Sequence, residues 1–435
     1  MNMEAIRTCV PLLLAGMLGA LFATPGCQPD QPATEQPTPE PPKSSASQPD
    51  VKPLPPTVLP EQEGTLDPSV VSASTEFGLK LLSALCEDSP DKNVLISPLS
   101  VFTALAMTYN GAAGETAEAM ARTLELTGIS LEQVNETNAH LLRSLTTQDA
   151  VELHLANSLW EVSASFREDF LHTNEQFYAA TVEQVTESTY VDAINAWVEE
   201  HTRGRIKEAL SESIDELIKD VCLVNVAYFL GEWAEQFKEQ YTQDAPFTLL
   251  DGRQKTVPLM FRGGGYGYLK TDELQAVRLP YDGGRFAMYI VLPAKVSGVA
   301  SLARSMDAAR WEALRERLSP QELALYVPRF QMRWDENLVE KLVEMGMGVA
   351  CQDGADFTRM VQEPAKPWIG RVEHDTFIDV TEKGTEAAAS TVVEMVEGIE
   401  EQQPEQMRVD HPFMCAIRDD ETGVLLFAGI VVDPG

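Results

Sequence analysis

The sequence predicts an α+β protein. Three observations carry this: helical periodicity is concentrated before residue 202, strand-like apolar runs dominate after it, and neither a linker nor an internal repeat divides residues 67–435. With 435 residues, 44% of them hydrophobic, the chain is long enough to bury a large core.

Residues 1–27 read as an export signal. Arg7 supplies a weak positive start, and residues 10–22 form an apolar stretch too short to span a bilayer comfortably. Gly26-Cys27 then follows in the manner of a bacterial lipobox, which makes Cys27 the lipidation candidate. Thr24 and Pro25 stand where an aliphatic and a small residue are usual, so lipidation and simple cleavage both stay open. Either outcome makes the protein extracytoplasmic, secreted or held at an outer surface, with a lipidated Cys27 as its membrane tether. Residues 28–66 form a linker rich in Pro, Gln, Glu, Ser and Thr. Such a composition cannot bury enough apolar surface to fold. Its proline density predicts an extended tether with a reach of roughly 100 Å, at about 3 Å per residue.

The globular pattern begins near Ser72. Apolar spacing predicts helices over 74–86, 98–109, 115–127, 130–145 and 190–202, the fourth opening with Ser130 and Gln133 as a capping box. Strand-like runs cover 153–159, 221–229, 286–292, 323–327, 377–380, 413–417 and 424–432. The run 221–229 is almost continuously apolar, as expected of a central strand buried on both faces. Gly263-Gly264-Gly265-Tyr266-Gly267 opens no helix and reads as a flexible turn rather than a phosphate cradle.

Asp and Glu number 67 against 33 Lys and Arg, a formal charge of -34. A surface this acidic is well solvated and repels phosphate backbones, which speaks against nucleic-acid binding. The six cysteines form no CxxC pair, and the histidines show no metal-ligand spacing. Cys222 and Cys415 lie in apolar runs, where a thiol behaves as a small buried hydrophobe. Disulfide pairing among Cys86, Cys222, Cys351 and Cys415 stays open. GxSxG, HExxH and Walker-type motifs are absent, so no hydrolase, metal or cofactor chemistry is indicated.

Residues 384–403 form an unusual segment. It contains no proline, lysine or arginine. Read with period two, one set is Thr385, Ala387, Ala389, Thr391, Val393 and Met395, uncharged and small at its start. The other set is Glu386, Ala388, Ser390, Val392, Glu394 and Val396, which suits water. The segment is therefore compatible with a strand buried on one face, yet its Ala, Gly and Glu content makes it a weak spontaneous strand. An element that can be either exposed loop or sheet strand is what a two-state device requires. Taken alone, it reads more readily as an ordinary Ala-rich helix with Glu outside, because Ala and Glu are good helix formers.

Its neighbours decide between these. The run from Glu382-Lys383-Gly384-Thr385-Glu386-Ala387-Ala388-Ala389 to Thr391 resembles the hinge of inhibitory serpins. Met407-Arg408-Val409-Asp410-His411-Pro412-Phe413 resembles the signature of that family, and Phe427-Ala428-Gly429 its ending. Asn93-Val94-Leu95-Ile96-Ser97-Pro98-Leu99-Ser100, Leu223-Val224-Asn225, Leu279-Pro280-Tyr281 and Val327-Pro328-Arg329-Phe330 are similar to further family motifs, in family order across about 72–435.

The resemblance implies a serpin fold with three β-sheets, about nine helices and an exposed reactive-centre loop. It implies a monomeric inhibitor that traps a target serine protease, or a cysteine protease, as a covalent acyl-enzyme while the cleaved loop enters the central sheet. It needs no cofactor. Glu382, Gly384, Thr385, Ala387, Ala388, Ala389 and Thr391 match the hinge. Ser97, Ser100, Asn225 and His374 match the buried polar shutter beneath the opening sheet. Counting from Gly384 puts the residue before the scissile bond at Gly398, whereas counting back from Pro404 puts it at Glu401. Glu397, Gly398, Ile399, Glu400 and Glu401 all stay candidates, and the lack of Arg or Lys disfavours trypsin-like targets. A glutamyl-preferring protease would suit the glutamates, whereas bait at Met395 or Ile399 would suit a chymotrypsin- or elastase-like one. The rival reading is a non-inhibitory serpin that serves as a binding or chaperone module. Such relatives often carry disruptive hinge residues, and none stands here.

Overall fold

The computed structural model describes residues 61–146, 151–161, 165–186, 188–202, 204, 210, 221–385 and 404–435. The signal, Cys27 and the linker up to residue 60 lie outside the described residues. So do 386–403, which hold Ala387, Ala388, Ala389, Thr391 and every scissile-bond candidate.

In chain order the elements open with helix α1 (Pro68–Asp88), strand β1 (Val94–Ile96) and helices α2 (Pro98–Tyr109), α3 (Gly114–Thr123) and α4 (Leu131–Thr146). There follow β2 (Val151–Glu161), α5 (Glu168–Tyr178), β3 (Thr181–Gln184), α6 (Tyr190–His201) and β4 (Val221–Glu232). A run of strands comes next: β5 (Gln243–Thr248), β6 (Gln254–Lys270), β7 (Leu274–Pro280) and β8 (Phe286–Pro293). After α7 (Val299–Ser305) and α8 (Ala308–Glu316) come β9 (Ser319–Pro328), β10 (Phe330–Asn337), α9 (Val339–Leu342) and β11 (Ile369–Val380). The last strands are β12 (Gly384–Thr385), β13 (Glu405–Arg408), β14 (Phe413–Asp419) and β15 (Leu425–Val431).

Local chemistry fixes several of these boundaries. Helix α1 starts at Pro68, whose missing N–H costs nothing at the first turn, behind Asp67, whose carboxylate accepts from the Ser69 amide at 2.9 Å. The expected capping box at α4 is present: the Gln133 amide donates to Ser130 Oγ at 3.2 Å, and Gln133 Oε1 accepts from the Ser130 amide at 3.0 Å. Helix α2 is buried almost all round, which explains why its residues are apolar without a polar stripe.

The central sheet has six strands, in the order β10-β11-β12-β4-β2-β3. β11 runs parallel to β4 from Ile369 opposite Val221 up to Phe377 opposite Tyr228. Beyond that level the two part, and β12 stands between them, with Thr385 opposite Val380 on one side and Gly231 on the other. β4 is central and buried on both faces, as its apolar run predicts. Its alternate residues serve two cores. Cys222, Val224 and Val226 pack beneath α6 with Ile194 and Val198, whereas Ala227 and Phe229 join the core shared with the second sheet. Fully burying a side chain such as Ile194 contributes about 1.5–3 kcal/mol, which is what holds α6 on the sheet.

The other nine strands form one hydrogen-bonded network, β1-β15-β14-β8-β7-β6-β9-β13 with β5 on β6. The expected third sheet is continuous with it, because β6 runs unbroken from its pairing with β5 and β9 into its pairing with β7. The flexible turn expected at Gly263–Gly267 is overturned by the same strand. Gly263, Gly264 and Gly265 pair with Ala324, Leu323 and Glu322 of β9, and the Arg262 guanidinium lies 4.9 Å from the Tyr266 ring centre on the glycine-bared surface. Cys222 and Cys415 are buried as expected; those two, Cys86 and Cys351 are all free thiols, and burial pushes the Cys222 and Cys415 thiols up to about 12.

Candidate functional site: a hinge wedged into the central sheet

Where β11 ends, the chain must reverse to reach β12. The Thr381 amide donates to the Gly384 carbonyl at 2.9 Å and closes this turn. The Trp233 amide donates to the Lys383 carbonyl and the Phe237 amide to the Glu382 carbonyl, at 2.9 and 2.8 Å, so the turn is tied to the chain leaving β4. The Trp233 indole N–H adds a bond to the Thr381 carbonyl at 2.9 Å. Gly384 passes so close to β4 that a Cβ there would lie 2.1 Å from the Gly231 carbonyl oxygen, well inside contact distance. Only glycine fits.

The Glu382 carboxylate is held inside this corner. Arg329 Nη2 donates to both its oxygens, at 2.6 and 2.7 Å, and Thr242 Oγ1 donates to one of them at 2.6 Å. Burial alone would push the carboxyl up; the Thr242 and Arg329 hydrogen bonds outweigh it and hold it below the ordinary value.

Thr385 is 0% exposed. Its hydroxyl shares a 2.8 Å hydrogen bond with the Tyr281 phenol, itself stacked on Trp233 at 4.5 Å between ring centres. Burial pushes the Tyr281 phenol far up, so it stays neutral. The inward orientation of Thr385 agrees with the uncharged period-two set read from the sequence.

Ser97, Ser100, Asn225 and His374, the residues expected to form a shutter, lie together directly below the fork between β11 and β4. Asn225 faces His374 across the parallel pair and Asn157 across the antiparallel pair, forming one row over three strands. The Ser97 amide donates to His374 Nε2 at 2.9 Å, so the ring proton sits on Nδ1, which donates to Asn225 Oδ1 at 2.6 Å. Asn225 Nδ2 donates to Ser100 Oγ at 2.5 Å and to Asn157 Oδ1. Thr376, one inward position above His374, donates to the Leu95 carbonyl at 2.8 Å and ties β11 to β1. Burial pushes the His374 imidazole down to about 3. Ser97 Oγ is buried without a partner.

This cluster cannot perform nucleophilic catalysis. The lone pair of His374 Nε2 is occupied by a backbone amide rather than a serine hydroxyl, and all four residues are sealed from solvent. Among the described residues no group of three metal-ligating side chains occurs. The arrangement is instead a sheet whose strands β11 and β4 part at one end, with Gly384 and Thr385 seated between them above a buried polar row.

Sequence reasoning missed Asn157, Thr242 and the roles of Arg329 and Tyr281. Asn157 alone had a local signal, as a polar residue breaking the apolar run of β2.

Comparison with known proteins bears on the same region. A family model described as serpin (serine protease inhibitor) matches residues 72–434. The leukocyte elastase inhibitor of Bos taurus is 33% identical over 380 residues, covering 83% of this chain and 99% of that protein. The native-state crystal structure of tengpin, a thermophilic serpin, superposes with a TM-score of 0.79 at 27% identity, covering 86% of this chain and 96% of tengpin. Human thyroxine-binding globulin, solved in complex with thyroxine, gives a TM-score of 0.77 at 26% identity, covering 84% of this chain and 98% of the globulin.

Proposed function

The chain belongs to the serpin family, and from that premise we propose that it inhibits serine proteases, or cysteine proteases, by inserting its own cleaved loop. The observation that carries this reading is Thr385, bonded into the fork between β11 and β4, with the small, uncharged Ala387 and Ala389 next in its own period-two set. A protease would attack a bond within 397–401, form an acyl-enzyme and release the downstream chain. The freed strand would then continue between β11 and β4 from Thr385.

The register fixes what each residue would meet. If the strand continued in the register of Thr385, Thr391 would meet His374 on one side and Asn225 on the other, inside the polar row. The same count brings Glu394 to the level of Arg371 and Cys222, on the face where Arg371 now pairs with Glu373. Insertion would therefore give the polar row a hydroxyl and the Arg371–Glu373 pair a second carboxylate. The native sheet, lacking this strand, is held back kinetically from a more stable form. The target class stays open between glutamyl-preferring and elastase- or chymotrypsin-like proteases. An export signal with a tether at Cys27 would let the inhibitor act outside the cytoplasm.

The likeness to thyroxine-binding globulin keeps a carrier or binding role as the second reading. Incubation with a panel of elastase-like, chymotrypsin-like, glutamyl-specific and papain-like proteases separates the two. The inhibitor reading expects a denaturant-stable complex of the summed mass with at least one of them. Clean cleavage without such a complex across the panel favours the binding role.

A further inference from the structure

Two imidazoles outside the corner and the polar row, one buried and one half-buried, face each other between the central sheet and α6. His154 on β2 is 6% exposed, and its Nε2 is buried without a hydrogen-bond partner. His201 closes α6, and the two ring centres lie 5.6 Å apart with the planes 38° off parallel. An orphaned buried nitrogen is uncommon and calls for an explanation.

The surroundings orient His201, whose nearest charge is the neighbouring Glu200 carboxylate. Its Nδ1 lies 2.8 Å from the Trp197 carbonyl; a carbonyl only accepts, so Nδ1 carries the proton and Nε2 keeps a free lone pair. The Trp197 ring stacks on the imidazole at 4.2 Å, and the Trp197 indole is anchored to Thr181 Oγ1 of β3 at 3.2 Å. Donation of the second ring nitrogen to a backbone carbonyl is the arrangement that metal-ligating histidines adopt.

We propose that His154 and His201 form a two-histidine site for a divalent transition ion such as Zn2+, clamping α6 to β2. The spacing fits. An ion about 2.1 Å from a nitrogen of each ring would lie about 3.2 Å from each ring's centre, so with both nitrogens turned to it the 5.6 Å separation would subtend an angle of about 120°, close to tetrahedral. Imidazole nitrogen selects Zn2+, Ni2+ or Cu2+ over Mg2+ or Ca2+. Solvent completes the coordination, since no third ligating side chain joins the pair among the described residues. The clamp would pin the helix that covers the face of the sheet. Its consequence rests on the inhibitor reading above: bound zinc would slow strand insertion.

Calorimetric titration of the chelator-treated full chain with Zn2+ alone tests the site. One ion binds per chain, and His154→Gln or His201→Gln each weakens binding by about tenfold or more. His140→Gln and Cys351→Ser leave it unchanged, and Mg2+ gives no heat. Zn2+ also raises the thermal midpoint of the unaltered chain and protects amides of α6 and β2 from hydrogen exchange, a readout that needs no variant. Undiminished binding in either glutamine variant, or no zinc-dependent protection of α6, overturns the proposal. Protease trapping in chelator depends only on the inhibitor reading, so failure of that reading is distinguished from failure of the site.

Discussion

Replacing His374 by alanine removes the centre of the shutter. The ring is 0% exposed and makes two hydrogen bonds, accepting from the Ser97 amide at 2.9 Å and donating to Asn225 Oδ1 at 2.6 Å. Each orphaned group costs about 1–3 kcal/mol, because folding still strips its water. The void left by the ring adds about 24 cal/mol per Å3 that the surroundings fail to fill. The expected loss is about 3–5 kcal/mol. Urea unfolding of the uncleaved chain at pH 7.5 measures it. The pH dependence gives a second signature. The folded pKa of His374 is depressed to about 3 from an ordinary 6.5, so the unfolded chain binds one more proton between these values. The stability that the neutral ring contributes is complete above pH 6.5 and declines as pH falls toward 3, with a slope of about 1.4 kcal/mol per pH unit. His374→Ala loses that part of the slope. A loss below about 1 kcal/mol, or an unchanged slope, would refute the hydrogen-bond assignment.

Other substitutions probe the site from different sides. Ser97→Ala removes a hydroxyl without a partner and is expected to be neutral or slightly stabilising, whereas Ser100→Ala removes the acceptor of Asn225 Nδ2 and costs about 1–2 kcal/mol; equal effects in urea unfolding would contradict the bonding pattern. Thr385→Arg puts a guanidinium where the buried hydroxyl meets Tyr281, at about 3–5 kcal/mol for an unpaired charge. That variant is expected to be cut as a substrate, with trapped complex per cleavage falling more than about tenfold; undiminished trapping would show that the fork is not the entry point. The depressed Glu382 carboxyl contributes stability that is present above the ordinary carboxylate range and lost as pH falls through its lowered pKa. Arg329→Met removes one cause of that depression, so the hinge should loosen at higher pH than in the parent, read as limited proteolysis near residue 382.

Much of this was legible because local and tertiary preferences agree. Pro98 followed by a mostly apolar stretch gives α2 at its observed bounds, and Ser130 with Gln133 marks the start of α4. Gly384 and Thr385 were assigned from a motif, and the close approach to Gly231 supplies the physical reason for the glycine. The glycine run at 263–267 misled, because glycine has no strand preference of its own and the pairing with β9 decides. Asn157 falls in the apolar period-two set of β2 with Leu153, Leu155 and Leu159, but only the register with Asn225 supplies its partner. Thr242 and Arg329 are far along the chain from Glu382, and nothing local announces that they share a carboxylate. Helices α7 and α9 are too short for periodicity to show.

The most direct test is thermal unfolding before and after one nick within residues 394–403, made by a glutamyl-specific protease and located by mass. A cut loop that becomes a sheet strand adds a full ladder on each side. Each kcal/mol gained moves the midpoint by about 2–4 °C in a large domain, so the account predicts a rise of more than about 10 °C. An unchanged midpoint would mean that the cleaved loop stays out of the sheet, and the inhibitor reading would fall in favour of a binding role.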